Sequence, residues 1–168
     1  MLKVAPQGKW QYVAFFLTAS LVVAADQLTK IWIRSNLAVG GSLFEIGLFR
    51  LTHIHNTGAA FGLFQGYSFI LTIVAIVGIA VVLLFGLFFL HQFSFLDNRL
   101  IRLTLGLILG GTVGNLIDRI SLGYVTDFID FTVWPAFNIA DSAIVVGVIL
   151  FAYSLLFLTR TQRTDSSV

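Results

Sequence analysis

Four of the chain's eight acidic residues, Asp118, Asp127, Asp130 and Asp141, cluster in one stretch that ends in "FNIADSAIVVG". No charged residue follows from Ser142 to Leu158, so Asp141 stands at the mouth of an apolar run. Two carboxylates brought together at such a low-dielectric boundary could hydrolyse a peptide. Like charges in close contact do not both ionise, so one keeps a proton. The ionised member can take a proton from water, while the protonated one polarises the carbonyl and later serves the leaving amine. Neither a metal nor a serine is needed. The 14-residue separation of Asp127 and Asp141 is not by itself a signature. A plainer role also competes: Asn138 or Asp141 could cap the helix that follows, since both residue types accept from orphan amides.

The neighbouring polar groups divide between chemistry and support. Asn115, Asp118 and Arg119 fall at i, i+3 and i+4, on one side of a helix end. Asp118 and Arg119 fit either a helix-end ion pair or a direct catalytic role. Asp127 sits in "YVTDFIDF", which reads as a half-buried strand. On a strand, Asp127 and Asp130 point to opposite faces, so one of them faces a given pocket. Trp134-Pro135 is expected to end that extended stretch and to aim the last helix, with Trp134 as an interface anchor. Asp26 and Lys30, four apart in acid-before-base order, read as a structural pair. Other chemistries fare worse. No H-E-x-x-H motif is present. His53 and His55 alternate without a nearby third ligand, and Ser142 has no activating base near it in sequence. No metal and no cofactor are expected.

The elements that must position these residues are membrane spans. Of 168 residues, 58% are hydrophobic and 11% charged, with mean hydropathy +0.95; soluble domains carry roughly 25% charged residues. Such a chain cannot cover a water-facing surface. With no cysteine there is no disulfide framework and no thiolate metal site. The net charge of +2 is too small to imply nucleic acid. Segments 11–33, 67–90, 100–117 and 141–158 are long and apolar enough to span a bilayer. This gives an all-α integral membrane fold, one domain of residues 1–168, with outer elements at 35–66 and 118–140 and a polar, unstructured tail at 159–168. The first segment reads as a retained span, because "ADQLTKIWIR" offers aromatic and basic anchors instead of a cleavage site.

Four spans put both termini on one face, with Lys3, Lys9, Arg99, Arg102, Arg160 and Arg163 there and Lys30, Arg34, Arg50 and Arg119 opposite. That excess places the termini in the cytoplasm. The first outer connection, with "LFEIGLFRLTHIHN" after a Gly40-Gly41 turn, reads as short strands or an interfacial element on the membrane. Gly106, Gly110 and Gly114, widened by Gly111, form a strip for close helix packing. A small proton-coupled transporter or a non-catalytic membrane scaffold are the competing classes. A transporter would distribute acidic groups through the membrane depth, yet none lies between Tyr67 and Leu90.

Five motifs in order, "DQLTK" (26–30), "HNTGAAFG" (55–62), "GGTVGNLIDR" (110–119), "VTDFIDF" (125–131) and "FNIADS" (137–142), closely resemble those of the bacterial lipoprotein signal peptidases, or signal peptidase II. The resemblance covers roughly residues 10–160. It implies an inner-membrane aspartic endopeptidase whose active site faces the extracytoplasmic side. Such an enzyme cuts diacylglyceryl-modified prolipoproteins just before the lipidated cysteine. It further implies Asp127 and Asp141 as the catalytic pair, with Asn56, Asn115, Asp118, Arg119 and Asn138 ordering the site and the substrate. A β-cradle and a short helical lid are implied in the first outer connection. Substrate and membrane lipids are the partners expected, with no nucleic acid, and one chain suffices. The link "TVWPA" is shorter than in some relatives, which bears on the rim of the site.

Overall fold

The computed structural model describes residues 10–58, 64–92 and 98–165, with 157–165 as backbone. The first helix, α1, covers Trp10–Asn36; β1 (Ser42–Ile46) and β2 (Phe49–Asn56) follow as a hairpin. Next come α2 (Ser68–Leu84), a π turn at Phe85–Phe89 and a 3-10 turn at Leu90–Gln92. The chain closes with α3 (Arg99–Leu122), β3 (Val125–Phe131), β4 (Trp134–Phe137) and α4 (Ile139–Asp165). Four stretches, Tyr12–Asn36, Ser68–Phe89, Arg99–Leu122 and Ile139–Leu156, are long and apolar enough to cross a membrane. The fold is therefore helical with a small antiparallel sheet. Lys3, Lys9 and residues 59–63 of the connection expected to carry the lid lie outside the described residues.

At the centre lies α3, packed against each of the other three helices. It begins with Asn98, whose Oδ1 accepts the Ile101 amide at 3.0 Å, and ends at Gly123, which turns the chain with φ +81°. Between lipid-facing helices there is little hydrophobic driving force, so close backbone approach must supply the attraction. The glycine strip supplies it. A Cβ on Gly106 would stand 2.7 Å from the Phe15 carbonyl, and one on Gly110 2.6 Å from that of Ala19. Gly111 does not widen this face but turns to α4, where a Cβ would strike the Ala140 carbonyl. At Gly114 the missing side chain makes room for the Asp26 carboxylate. Below this, Phe15, Leu90, Ile101 and Leu105 form a buried core, and buried Arg102 lies over the Tyr12 ring at 4.5 Å.

The α1–α2 and α3–α4 connections both contribute to one sheet, in the order β1-β2-β3-β4. Register pairs Ile54 with Asp127 and Arg50 with Asp130. Alternation then separates the two acids as expected. Asp130 meets Arg50 Nε at 2.6 Å, whereas Asp127 turns toward the helices. Two expectations need correction. Trp134-Pro135 does not end the extended stretch: Thr132 and Val133 make the turn, and Trp134–Phe137 returns as an edge strand paired with β3. Proline is tolerated there because an outer strand needs no donor on its open side. The tail also departs from expectation, since α4 continues to Asp165. Once nucleated, a helix gains one hydrogen bond per residue, and no glycine or proline interrupts residues 148–165.

Candidate active site

Asp127 comes from the middle of β3 and Asp141 from the first turn of α4. Asn138 joins them. Its Nδ2 donates to Asp127 Oδ1 at 2.7 Å and its backbone N–H to Asp141 Oδ2 at 3.2 Å. The Asp141 amide in turn donates to Asn138 Oδ1 at 2.9 Å, which closes a reciprocal capping box. The helix-cap role and the site role are thus the same arrangement. The remaining oxygens are filled by Asn56, whose Nδ2 donates to Asp127 Oδ2 at 2.8 Å, and Asn115, whose Nδ2 donates to Asp141 Oδ1 at 2.7 Å. Each carboxylate oxygen thus holds one amide donor. Three asparagines do this without adding charge.

Asp127 is only 2% exposed. Burial, and then the charge of Asp141, push its carboxyl up to about 7, against the hydrogen bonds of Asn56 and Asn138 and the charge of Lys30. Near neutral pH it can therefore hold a proton. Both acids open onto one cavity of about 660 Å³. Asn56, Asn115 and Arg119 line its polar side, and Trp134, Pro135, Phe137, Ile144, Val145 and Val146 its apolar side. Such a vessel can hold a peptide beside a greasy group.

A second tier lies behind the acids. Asp118 faces α1: Arg34 Nη1 meets its Oδ1 at 3.2 Å and Lys30 Nζ its Oδ2 at 3.4 Å. The Thr126 amide donates to the same Oδ2 at 2.9 Å, so Asp118 anchors the start of β3. Arg119 instead donates to the Gly58 carbonyl at 3.3 Å and lines the cavity. Asp26 and Lys30 form the expected pair at 2.8 Å, both fully buried. Sequence reasoning missed Gln27, Arg34 and Thr126. The signal for Arg34 was available, since Asp26, Lys30 and Arg34 repeat every four residues along one face of α1. His53 and His55 serve other ends: His53 Nδ1 meets the Leu37 carbonyl at 2.9 Å, and His55 stacks on Tyr124 at 3.6 Å.

The family model described as signal peptidase (SPase) II matches residues 18–157 of this chain. The chain belongs to the signal peptidase II family. Signal peptidase II enzymes cleave signal peptides from prolipoproteins, and theirs is an aspartic peptidase family. Among the relatives is a lipoprotein signal peptidase of Dehalococcoides mccartyi, 51% identical over 80% of this chain and 84% of its own. That of Moorella thermoacetica is 47% identical over 90% and 98%. A solved bacterial membrane enzyme superposes with a TM-score of 0.76 at 33% identity, covering 86% of this chain and 88% of its own. The likeness thus extends well beyond the five motifs, over residues 18–157 for the family and 86% of the chain for the solved enzyme.

Proposed function

We propose that Asp127 and Asp141 are the pair with which this chain cleaves diacylglyceryl-modified prolipoproteins, at the bond preceding the lipidated cysteine. The observation that carries the proposal is their joint exposure to one cavity through the single bridge of Asn138. Asp127, raised to about 7, is the member that holds the proton. Asp141 is then the carboxylate that accepts a proton as water oxygen adds to the scissile carbonyl carbon. The Asp127 proton passes to the carbonyl oxygen, giving a tetrahedral diol. On collapse, the proton on Asp141 goes to the nitrogen of the lipidated cysteine and Asp127 recovers one from the diol. The C–N bond breaks, and the pair returns with one proton. Asn56, Asn115 and Asn138 hold the carboxylates, Asp118 holds β3, and Arg119 presents its guanidinium to the substrate backbone.

The site sits at the outer face of the bacterial inner membrane, with both termini cytoplasmic, a reading that the distribution of Lys and Arg supports. The sheet lies on the bilayer surface as a cradle. Exposed Leu43, Phe44, Ile46 and Leu48 on the first hairpin favour that placement. A lipid anchor contributes about 0.8 kcal/mol per buried methylene, so the membrane itself concentrates the substrate at the site. A single chain supplies every group named, which supports a monomer. The test is Asp127→Asn and Asp141→Asn, each assayed in detergent on a diacylglyceryl-modified prolipoprotein. Each change is expected to cut turnover by roughly 10²–10⁴-fold or more while substrate still binds. Wild-type cleavage by either variant would overturn the assignment.

A further inference from the structure

Lys30 is a buried cation that this mechanism leaves unused. Its side chain has no exposed surface. An ionised group at such a place in a membrane protein needs partners, and the Lys30 ammonium has three. It meets Asp26 Oδ2 at 2.8 Å, Asn115 Oδ1 at 2.9 Å and Asp118 Oδ2 at 3.4 Å. Each partner passes the contact on toward one of the two acids. Asn115 gives its Nδ2 to Asp141 Oδ1 at 2.7 Å. Asp26 Oδ1 accepts the amide of Ala140, the residue before Asp141, at 3.0 Å. Asp118 Oδ2 accepts the amide of Thr126, the residue before Asp127, at 2.9 Å.

The chemistry of the ammonium gives these contacts a direction. It donates and never accepts. Asn115 must therefore turn its oxygen to Lys30, and only its NH₂ remains for Asp141. Asn138 Nδ2 also donates to this oxygen, at the longer distance of 3.2 Å, so with an apolar group in place of Lys30 the orientation of the amide would rest on that one weaker contact. The same ammonium ties α1 to the start of β3 through Asp118 and to the start of α4 through Asp26.

We propose that Lys30 is a positioning residue of the aspartate pair, fixing the orientation of the Asn115 amide and the register of β3 against the first turn of α4. The inference rests on the Asp127–Asp141 reading above. Lys30 also acts on the pair by charge, opposing the burial that raises Asp127. The other charged or titratable groups facing the pair or lining its cavity are Asp26 and Arg34 on α1, Asp118 and Arg119 on α3, and His55 on β2. All of them stay in place in the variants below.

The experiment compares Lys30→Met and Lys30→Gln with wild type, measuring kcat and KM across pH on the lipidated prolipoprotein. Met removes both charge and donor. Gln removes the charge but keeps an amide donor for Asn115, and it serves where Met leaves Asp26 too poorly matched for folding. Loss of the orienting contact is expected to lower kcat in the Met variant by roughly 10- to 100-fold, with KM changed far less. Loss of the charge is expected to move the alkaline limb of kcat/KM upward in either variant. A purely structural role lowers the amount of active enzyme without moving that limb. A wild-type kcat in the folded Met variant, or an alkaline limb at the wild-type pH, overturns the proposal. Asp127→Asn is assayed alongside. If it cleaves at wild-type rate the aspartate pair itself is wrong, whereas if it is inactive and the limb stays put, only the role of Lys30 falls.

Discussion

At the scale of single residues, Asp127 carries a stability cost that its placement imposes. Its carboxyl titrates near 3.8 in the unfolded chain and about 7 in the fold. Between these values the folded protein retains a proton that the unfolded chain has lost, so stability falls as pH rises through the window. His55 works with the opposite sign, since burial and His53 hold it below its ordinary 6.5. Its contribution cancels when wild type is compared with Asp127→Asn, which has no proton to lose. From about pH 5 to about pH 8 the Asn variant is expected to gain roughly 2–3 kcal/mol on wild type. Thermal unfolding in detergent across that range measures it. A constant difference would mean that Asp127 does not titrate there. Under the proposed mechanism this is a stability–activity trade, in which a group is held in the state its chemistry needs and not in the state folding prefers.

At the scale of elements, α3 decides how closely the bundle can pack. Gly106 and Gly110 face α1 with no room for a methyl group, whereas Gly78 of α2 has nothing within 4 Å of its absent Cβ. Gly110→Ala is expected to destabilise the fold by roughly 1–3 kcal/mol, while Gly78→Ala leaves it unchanged or slightly more stable. Unfolding in detergent separates the two. Gly111 has a second role, because a methyl there would press on the Ala140 carbonyl, next to Asp141. Gly111→Ala should therefore also lower kcat, by about tenfold or more per ångström of misplacement. Equal kcat in folded Gly110→Ala and Gly111→Ala would refute that distinction. The four-residue glycine spacing announced a packing face, and the strip along α1 was legible from it. That Gly111 serves a different neighbour was not legible, because spacing gives a direction around one helix and says nothing of which partner occupies it.

At the scale of the whole molecule, four elements converge on one rim: the ends of α1 and α3, the four-stranded sheet and the start of α4. The chain lacks cysteine, so a single introduced one reports its own side of the membrane. Leu48→Cys and Val133→Cys, both at exposed hairpin tips, are expected to react in intact spheroplasts with a membrane-impermeant maleimide. A cysteine added after Val168 should react only once the membrane is opened. The reverse pattern would invert the orientation. The sheet also explains why clustered aspartates serve different ends. Asp127 and Asp130 lie three residues apart, yet one serves the cavity and the other the Arg50 ion pair, because a strand sends alternate side chains to opposite faces.

The sequence alone determined the solvent, the number of spans, the strand character around Asp127 and the motifs that mark the two acids. These follow from local quantities: hydropathy over about 20 residues, periodicity within one element and residue type at fixed spacing. Only the tertiary structure decided that Asn138 bridges the acids, that Asp118 serves α1 and β3, that β4 returns beside β3, and that Lys30 stands behind the pair. Those contacts join residues as far apart as 114 positions, as between Asp26 and Ala140. No local pattern encodes such a pairing; it arises when glycine-lined helices close on one another and a buried cation must find every partner it needs.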